Sequence, residues 1–155
     1  MIRKLSIAMV VIAALVITVG STLAANAHVV GSLTSSAGPG ANQFTVTGKI
    51  AGLGNGYAGT TLSATADVTF DVLCANSQGK LAPGQQGGTG SVDGTGAIDN
   101  VDKNGTYTFH VTFTLPALTP AKAYGCPNNQ WSASATLVSF QVTSITLADG
   151  TQIAP

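Results

Sequence analysis

The chain has no glutamate, a single arginine (Arg3), and charged residues at only 8% of its 155 positions. These shortages exclude several function classes. A surface that grips nucleic acid needs clustered positive charge to displace counterions, and beyond position 27 there are only Lys49, Lys80, Lys103 and Lys122, scattered along the chain. Six aspartates outweigh them and leave a net charge of −2 with the histidines neutral. No nucleic-acid partner is expected. Carboxylate pairs for acid–base chemistry could come only from aspartates. Asp67 and Asp71, on one strand face, would stand roughly 13 Å apart by strand rise, too far for a glycosidase pair. With no Gly-x-Ser-x-Gly elbow and no expected free thiol, the chain is not expected to be an enzyme.

What is present begins with an address. Arg3 and Lys4, an uncharged apolar run over 5–19 and the small-residue exit Ala25-Asn26-Ala27 match the three parts of a secretory signal peptide. Residues 1–27 are therefore expected to be removed, leaving His28 first and a single secreted domain over 28–155, with no membrane association after cleavage. An uncleaved anchor is the alternative, since the uncharged run approaches the roughly 20 residues a bilayer requires. The remaining 128 residues suit one domain with one core. In an exported chain the only two cysteines, Cys74 and Cys126, are expected to pair. Closing that 52-residue separation would stabilise the fold by about 4 kcal/mol on the loop-entropy account.

Period-two alternation dominates the rest. Leu62, Ala64, Ala66, Val68, Phe70, Val72 and Cys74 share one face of an extended segment, with threonines, serine and aspartates on the other. A second strand over 106–115 turns Tyr107, Phe109, Val111, Phe113 and Leu115 inward and Thr106, Thr108, His110, Thr112 and Thr114 outward. Asn104-Gly105 before it is a hairpin-turn signal, and 91–98 is the expected partner, with Gly94 and Gly96 suggesting a bulge or an edge. Phe44, Val46 and Ile50 mark an earlier strand that Gly48 interrupts. After Trp131 the inward parity changes twice, at 137/138 and between 142 and 145. Each change demands a bulge or a bend, so two strands are expected, about 131–142 and 143–149. Long irregular connections over 75–90 and 116–130 would form a loop cluster at the disulfide end, the expected contact region. About seven strands and no helix predict an all-β antiparallel β-sandwich of immunoglobulin-like architecture with one disulfide, a small β-barrel being the alternative.

Candidate chemistry is sparse. His28, as a new N-terminus, and His110 supply the nitrogen donors of a copper histidine brace, against the plainer reading of an exposed strand histidine and an incidental first residue. Asp93, Asp99, Asn100, Asp102 and Asn104 are oxygen-rich like a calcium turn but lack the closing glutamate of an EF-hand loop, and Asp and Asn are ordinary turn formers. Asn104-Gly105-Thr106 is a formal glycosylation sequon. The outward threonines, Thr108 and Thr112 among them, could face a glycan or another protein, although threonine also simply suits strands. Trp131 could stack on a sugar or pack on the disulfide.

The segments Cys74-Ala75-Asn76-Ser77-Gln78-Gly79 with Pro83-Gly84-Gln85, Cys126-Pro127-Asn128-Asn129-Gln130-Trp131, and Val46-Thr47-Gly48-Lys49-Ile50-Ala51-Gly52-Leu53-Gly54 resemble small exported bacterial proteins of unassigned function. That resemblance implies that the two cysteine segments face one another and that Asn76, Pro127 and Trp131 frame their junction. It implies no activity. The expected role is non-enzymatic binding or structural display outside the cell or at its surface, with a protein or glycan partner, the copper protein and the polysaccharide-binding module standing as alternatives.

Overall fold

The computed structural model describes residues 26–54, 56–84 and 87–155; the expected signal segment lies almost wholly outside them. Eight strands, β1 (His28–Ala37), β2 (Gln43–Ala51), β3 (Thr61–Ala75), β4 (Leu81–Pro83), β5 (Gly88–Val101), β6 (Tyr107–Thr114), β7 (Ser132–Leu147) and β8 (Gln152–Ile153), form one antiparallel sheet. Its order is β1-β2-β6-β5-β3-β7-β8, with β4 added beside the end of β3. The only helical turn among the described residues is a 3₁₀ segment, Ala121–Tyr124. The described residues are therefore all-β and antiparallel with one disulfide, in eight strands where about seven were expected.

The strongest alternating segments became the central strands. In β3 every inward position from Leu62 to Cys74 is buried, and β6 buries Tyr107, Phe109, Val111 and Phe113. Phe44 of β2 stacks on Phe113 with ring centroids 5.1 Å apart and meets Phe140 of β7 at 6.0 Å. Because β2 and β7 stand far apart in the strand order, that second contact means the sheet curls until its two limbs face each other across the core. β1 pairs only with β2 among the described residues. Between it and β7 remains a cleft of about 370 Å³ lined by Ser35, Ala37, Phe44, Ala135 and Leu137.

Three expectations about irregularity change. Both parity shifts of the C-terminal segment are bulges, at Val138 and Thr143, where the β3–β7 register slips. They lie inside one 16-residue strand, so the two expected strands are one. Gly48 does not interrupt β2: it sits opposite Phe109, whose ring occupies the space a side chain would need, 2.6 Å from a Cβ built there. Gly94 and Gly96 mark neither an edge nor a bulge, since β5 is bonded to β3 on one side and β6 on the other; its bulge falls later, between Ile98 and Val101.

β1 and β4 carry no legible pattern because both are exposed, and burial is what writes periodicity into a strand. The connection expected over 75–90 is correspondingly shorter. It holds the Asn76–Lys80 turn, in which Asn76 Oδ1 accepts the N–H groups of Gln78 and Lys80, and then β4.

Candidate functional site

The copper brace is not assembled. His28 lies opposite Ala51 on one side of β2, while His110 lies opposite Thr47 on the other. Four residues along β2 and two strand spacings put the two backbones about 16 Å apart, so they cannot share one ion. His28 Nδ1 is bonded to the carbonyl oxygen of Asn26 at 2.8 Å, a contact that cleavage after Ala27 would remove. Both ring nitrogens of His110 are also engaged, Nδ1 with Thr47 Oγ1 and Nε2 with Asp99 Oδ2, each at 2.9 Å. The hydroxyl, imidazole and carboxylate belong to β2, β6 and β5, so His110 clips three strands together on the outer face. A nucleophile would further need donors aimed at an oxyanion. Around His110 the β2–β6 ladder is continuous from Gln43 to Ile50, whereas β5 bulges away from β6 at Asp99 and Asn100.

The oxygen-rich turn is a turn. Asp102 Oδ1 accepts the N–H groups of Asn104 (2.8 Å) and Thr106 (3.0 Å), and Gly105 takes the positive φ of 76° that closes the hairpin. Asp93 instead accepts from Thr65 Oγ1 at 2.8 Å. Among the described residues no three His, Cys, Asp or Glu side chains converge to hold a metal ion.

Two exposed carboxylates, Asp102 and Asp149, are expected to give the fold a pH dependence. The N–H groups of Thr106 and Asn104 hold Asp102 below the usual carboxylate range. The N–H of Thr151 and then the Tyr57 hydroxyl, donating at 2.9 Å, do the same for Asp149. Their contribution is full above the ordinary carboxylate pKa and is lost as pH falls through the depressed one. The bond to Asp149 in turn raises the Tyr57 phenol, so that half of the link is lost only as alkali titrates the phenol. The thermal midpoint should thus decline below about pH 4, and less steeply in Asp149→Asn; an identical acid slope in that variant would contradict the assignment.

Trp131 is half-buried and packs against the core. Cys74 and Cys126 are bonded and buried, with Cα atoms 5.6 Å apart. No helix among the described residues is long and apolar enough to cross a membrane. Beside the disulfide, on the outer face, Leu73 pairs with Pro83 and Ala75 with Leu81. Leu81 is 61% exposed and Leu73 37%, which leaves a small apolar patch at that end.

One ordered polar surface is visible only across strands. Register aligns Ser36, Thr45, Thr112, Thr95, Ser63 and Thr146 in one row across β1, β2, β6, β5, β3 and β7. Thr45 and Thr112 share a hydrogen bond at 3.3 Å, and Gln43 Nε2 donates to Thr114 Oγ1 at 3.3 Å in the next row. Thr108 lies on the same face, opposite Lys49.

This outer face is dented, and β5 supplies a reason. Its inward positions are Gly88, Gly90, Val92, Gly94, Gly96 and Ile98, so few side chains hold the strand away from the core. A Cβ on Gly88 would lie 2.6 Å from the Phe70 ring, and one on Gly94 2.7 Å from Val111. Two adjoining shallow depressions lie on this face, the first over β3 between β5 and β7 and the second over β5 between β3 and β6. One, of about 540 Å³, is lined by Asp67, Thr69, Thr89, Ser91, Ser139 and Gln141. The other, of about 450 Å³, is lined by Ser63, Thr65, Asp93, Thr95, Thr112 and Thr114.

The chain matches no protein-family model, no curated protein and no solved structure.

Proposed function

We propose that the chain is exported, loses residues 1–27, and works outside the cell or at its surface as a non-enzymatic binding domain whose contact surface is the hydroxylated outer face of the sheet. The observation that carries this reading is the six-strand row of Ser and Thr side chains. Hydroxyls on neighbouring strands repeat at about 4.8 Å on a scaffold fixed by backbone ladders, so they meet a partner already ordered. Such groups both donate and accept, which suits a polysaccharide. The signal-like start, the cysteine pair and the resemblance to small exported bacterial proteins support the location, since structural disulfides persist in oxidising compartments. An immunoglobulin-like kinship for the curled sheet belongs to the same proposal.

The test has two parts. Mass spectrometry of protein recovered outside the cell should give a chain starting at His28. That chain should be retained on insoluble polysaccharides (cellulose, chitin and cell-wall sacculi) and lose retention when Thr95 and Thr112 become alanine together. Undiminished retention in that variant, or none for the parent, would remove the outer face as the contact surface. Trp131→Ala is a poorer probe, because its ring packs against the core and its loss disturbs the fold.

The apolar patch of Leu73, Leu81 and Pro83 favours a second reading, in which the disulfide end contacts a protein. Leu81→Asp would then abolish cross-linking at the cell surface and leave glycan retention intact.

A further inference from the structure

The outer-face reading leaves the chemistry of the ligand open, and the lining of the two depressions narrows it. We infer that they form one trough for an amine-bearing polysaccharide, a polymer of hydroxyls with ammonium groups at intervals. This rests on the proposed outer-face contact and goes beyond it in naming the ligand class.

The depressions adjoin along two strands: Thr65 and Asp67 are consecutive outward residues of β3, and Asp93 and Ser91 lie opposite them on β5. Their polar side chains are hydroxyls and amides with two carboxylates, Asp67 and Asp93. Neither depression is lined by a lysine, arginine or histidine. No salt bridge engages either carboxylate among the described residues, and Asp93 accepts only from the Thr65 hydroxyl. Negative charge without a resident cation favours a cationic partner, because opposite charges gain from alignment while like charges at one site repel.

The remaining lining decides which cationic partner. A lysine-rich peptide carries each charge at the end of a long flexible stem and brings few hydroxyls to pair; the lining sets hydroxyl and amide groups beside apolar Val68, Ala64 and Phe140. A sugar ring bearing several hydroxyls and one ammonium matches a lining in which hydroxyls outnumber carboxylates. The inward glycines of β5 suit the concavity over that strand, whose outer face carries Asp93, while Asp67 stands on the neighbouring β3.

The experiment is calorimetric titration of the exported chain with a glucosamine hexamer, an N-acetylglucosamine hexamer and hexalysine at low salt and pH 6. The glucosamine hexamer should bind most tightly. The variant Asp67→Asn/Asp93→Asn should weaken it about tenfold or more, the worth of one charge-assisted hydrogen bond. Ser91→Tyr, which fills the trough without changing charge, should weaken it similarly. Both replacements are on the exposed face, and circular dichroism will show whether the fold is kept. Equal affinity for hexalysine, equal affinity for the acetylated hexamer, or no loss in a folded variant overturns the inference. Retention on uncharged glycans that still depends on Thr95 and Thr112 would in that event leave the broader outer-face reading intact.

Discussion

Replacing Cys74 and Cys126 together by alanine is expected to lower the free energy of unfolding by about 2–5 kcal/mol. Cys74 is the last inward residue of β3, and Cys126 follows the 3₁₀ turn in the connection between β6 and β7. That connection is otherwise held to the core by Leu118 and Ala121, both buried. Without the bond the unfolded chain regains the freedom of a 52-residue loop, and two small cavities open where the sulfur atoms packed. Urea unfolding should show the lower midpoint together with a larger dependence on denaturant, because the reduced unfolded state is more expanded. The double variant is the informative one, since a single replacement leaves a free thiol. An unchanged midpoint would mean that the bond merely decorates a connection already fixed by packing.

Gly96→Ala should be nearly as damaging, by about 3 kcal/mol, at the upper end of what overpacking costs. A Cβ on Gly96 would run into the backbone carbonyl of His110, its diagonal neighbour on β6, and backbone cannot rotate aside as a flexible side chain can. Either β5 and β6 separate locally or the Thr47–His110–Asp99 clip is displaced. Gly90→Ala is the matched control on the same strand, where the nearest atom is Pro116 Cγ at 3.9 Å. That substitution should change stability by less than about 0.5 kcal/mol. If the two alanines cost the same, the close approach of β5 to β6 is not what these glycines serve.

The contrast between those two glycines shows where reading the chain runs out. Gly94 and Gly96 are visible as interruptions of a strand pattern, and in isolation an interruption suggests an edge or a bulge. Their role depends on Val111, Phe113 and the His110 carbonyl, which lie on the partner strand in a register that one segment does not encode. His110 illustrates the same limit. Its outward direction follows from the parity of Tyr107, Phe109 and Val111, but Thr47 and Asp99, which occupy its two nitrogens, come from strands 63 and 11 positions away. A metal reading based on residue type alone paired it with His28, which the strand order places on the other side of β2.

Burial marks what could be read directly. Leu62 to Cys74, Tyr107 to Phe113, and the parity shifts at Val138 and Thr143 left their pattern because apolar side chains must leave water and alternate at period two to do so. The turn at Asp102 to Thr106 was equally local, resting on a carboxylate that reaches its own backbone. By itself the sequence thus determined the all-β class, the core-facing residues of the central strands, the pairing of its only two cysteines and the outward threonines. The tertiary structure alone decided the strand order, the curl that brings Phe44 to Phe140, the single strand β7, and the alignment of hydroxyls from six strands over a sunken β5. Those features arise from cross-strand register and the packing of one strand's glycines against another's side chains, relations between distant segments that no local periodicity records.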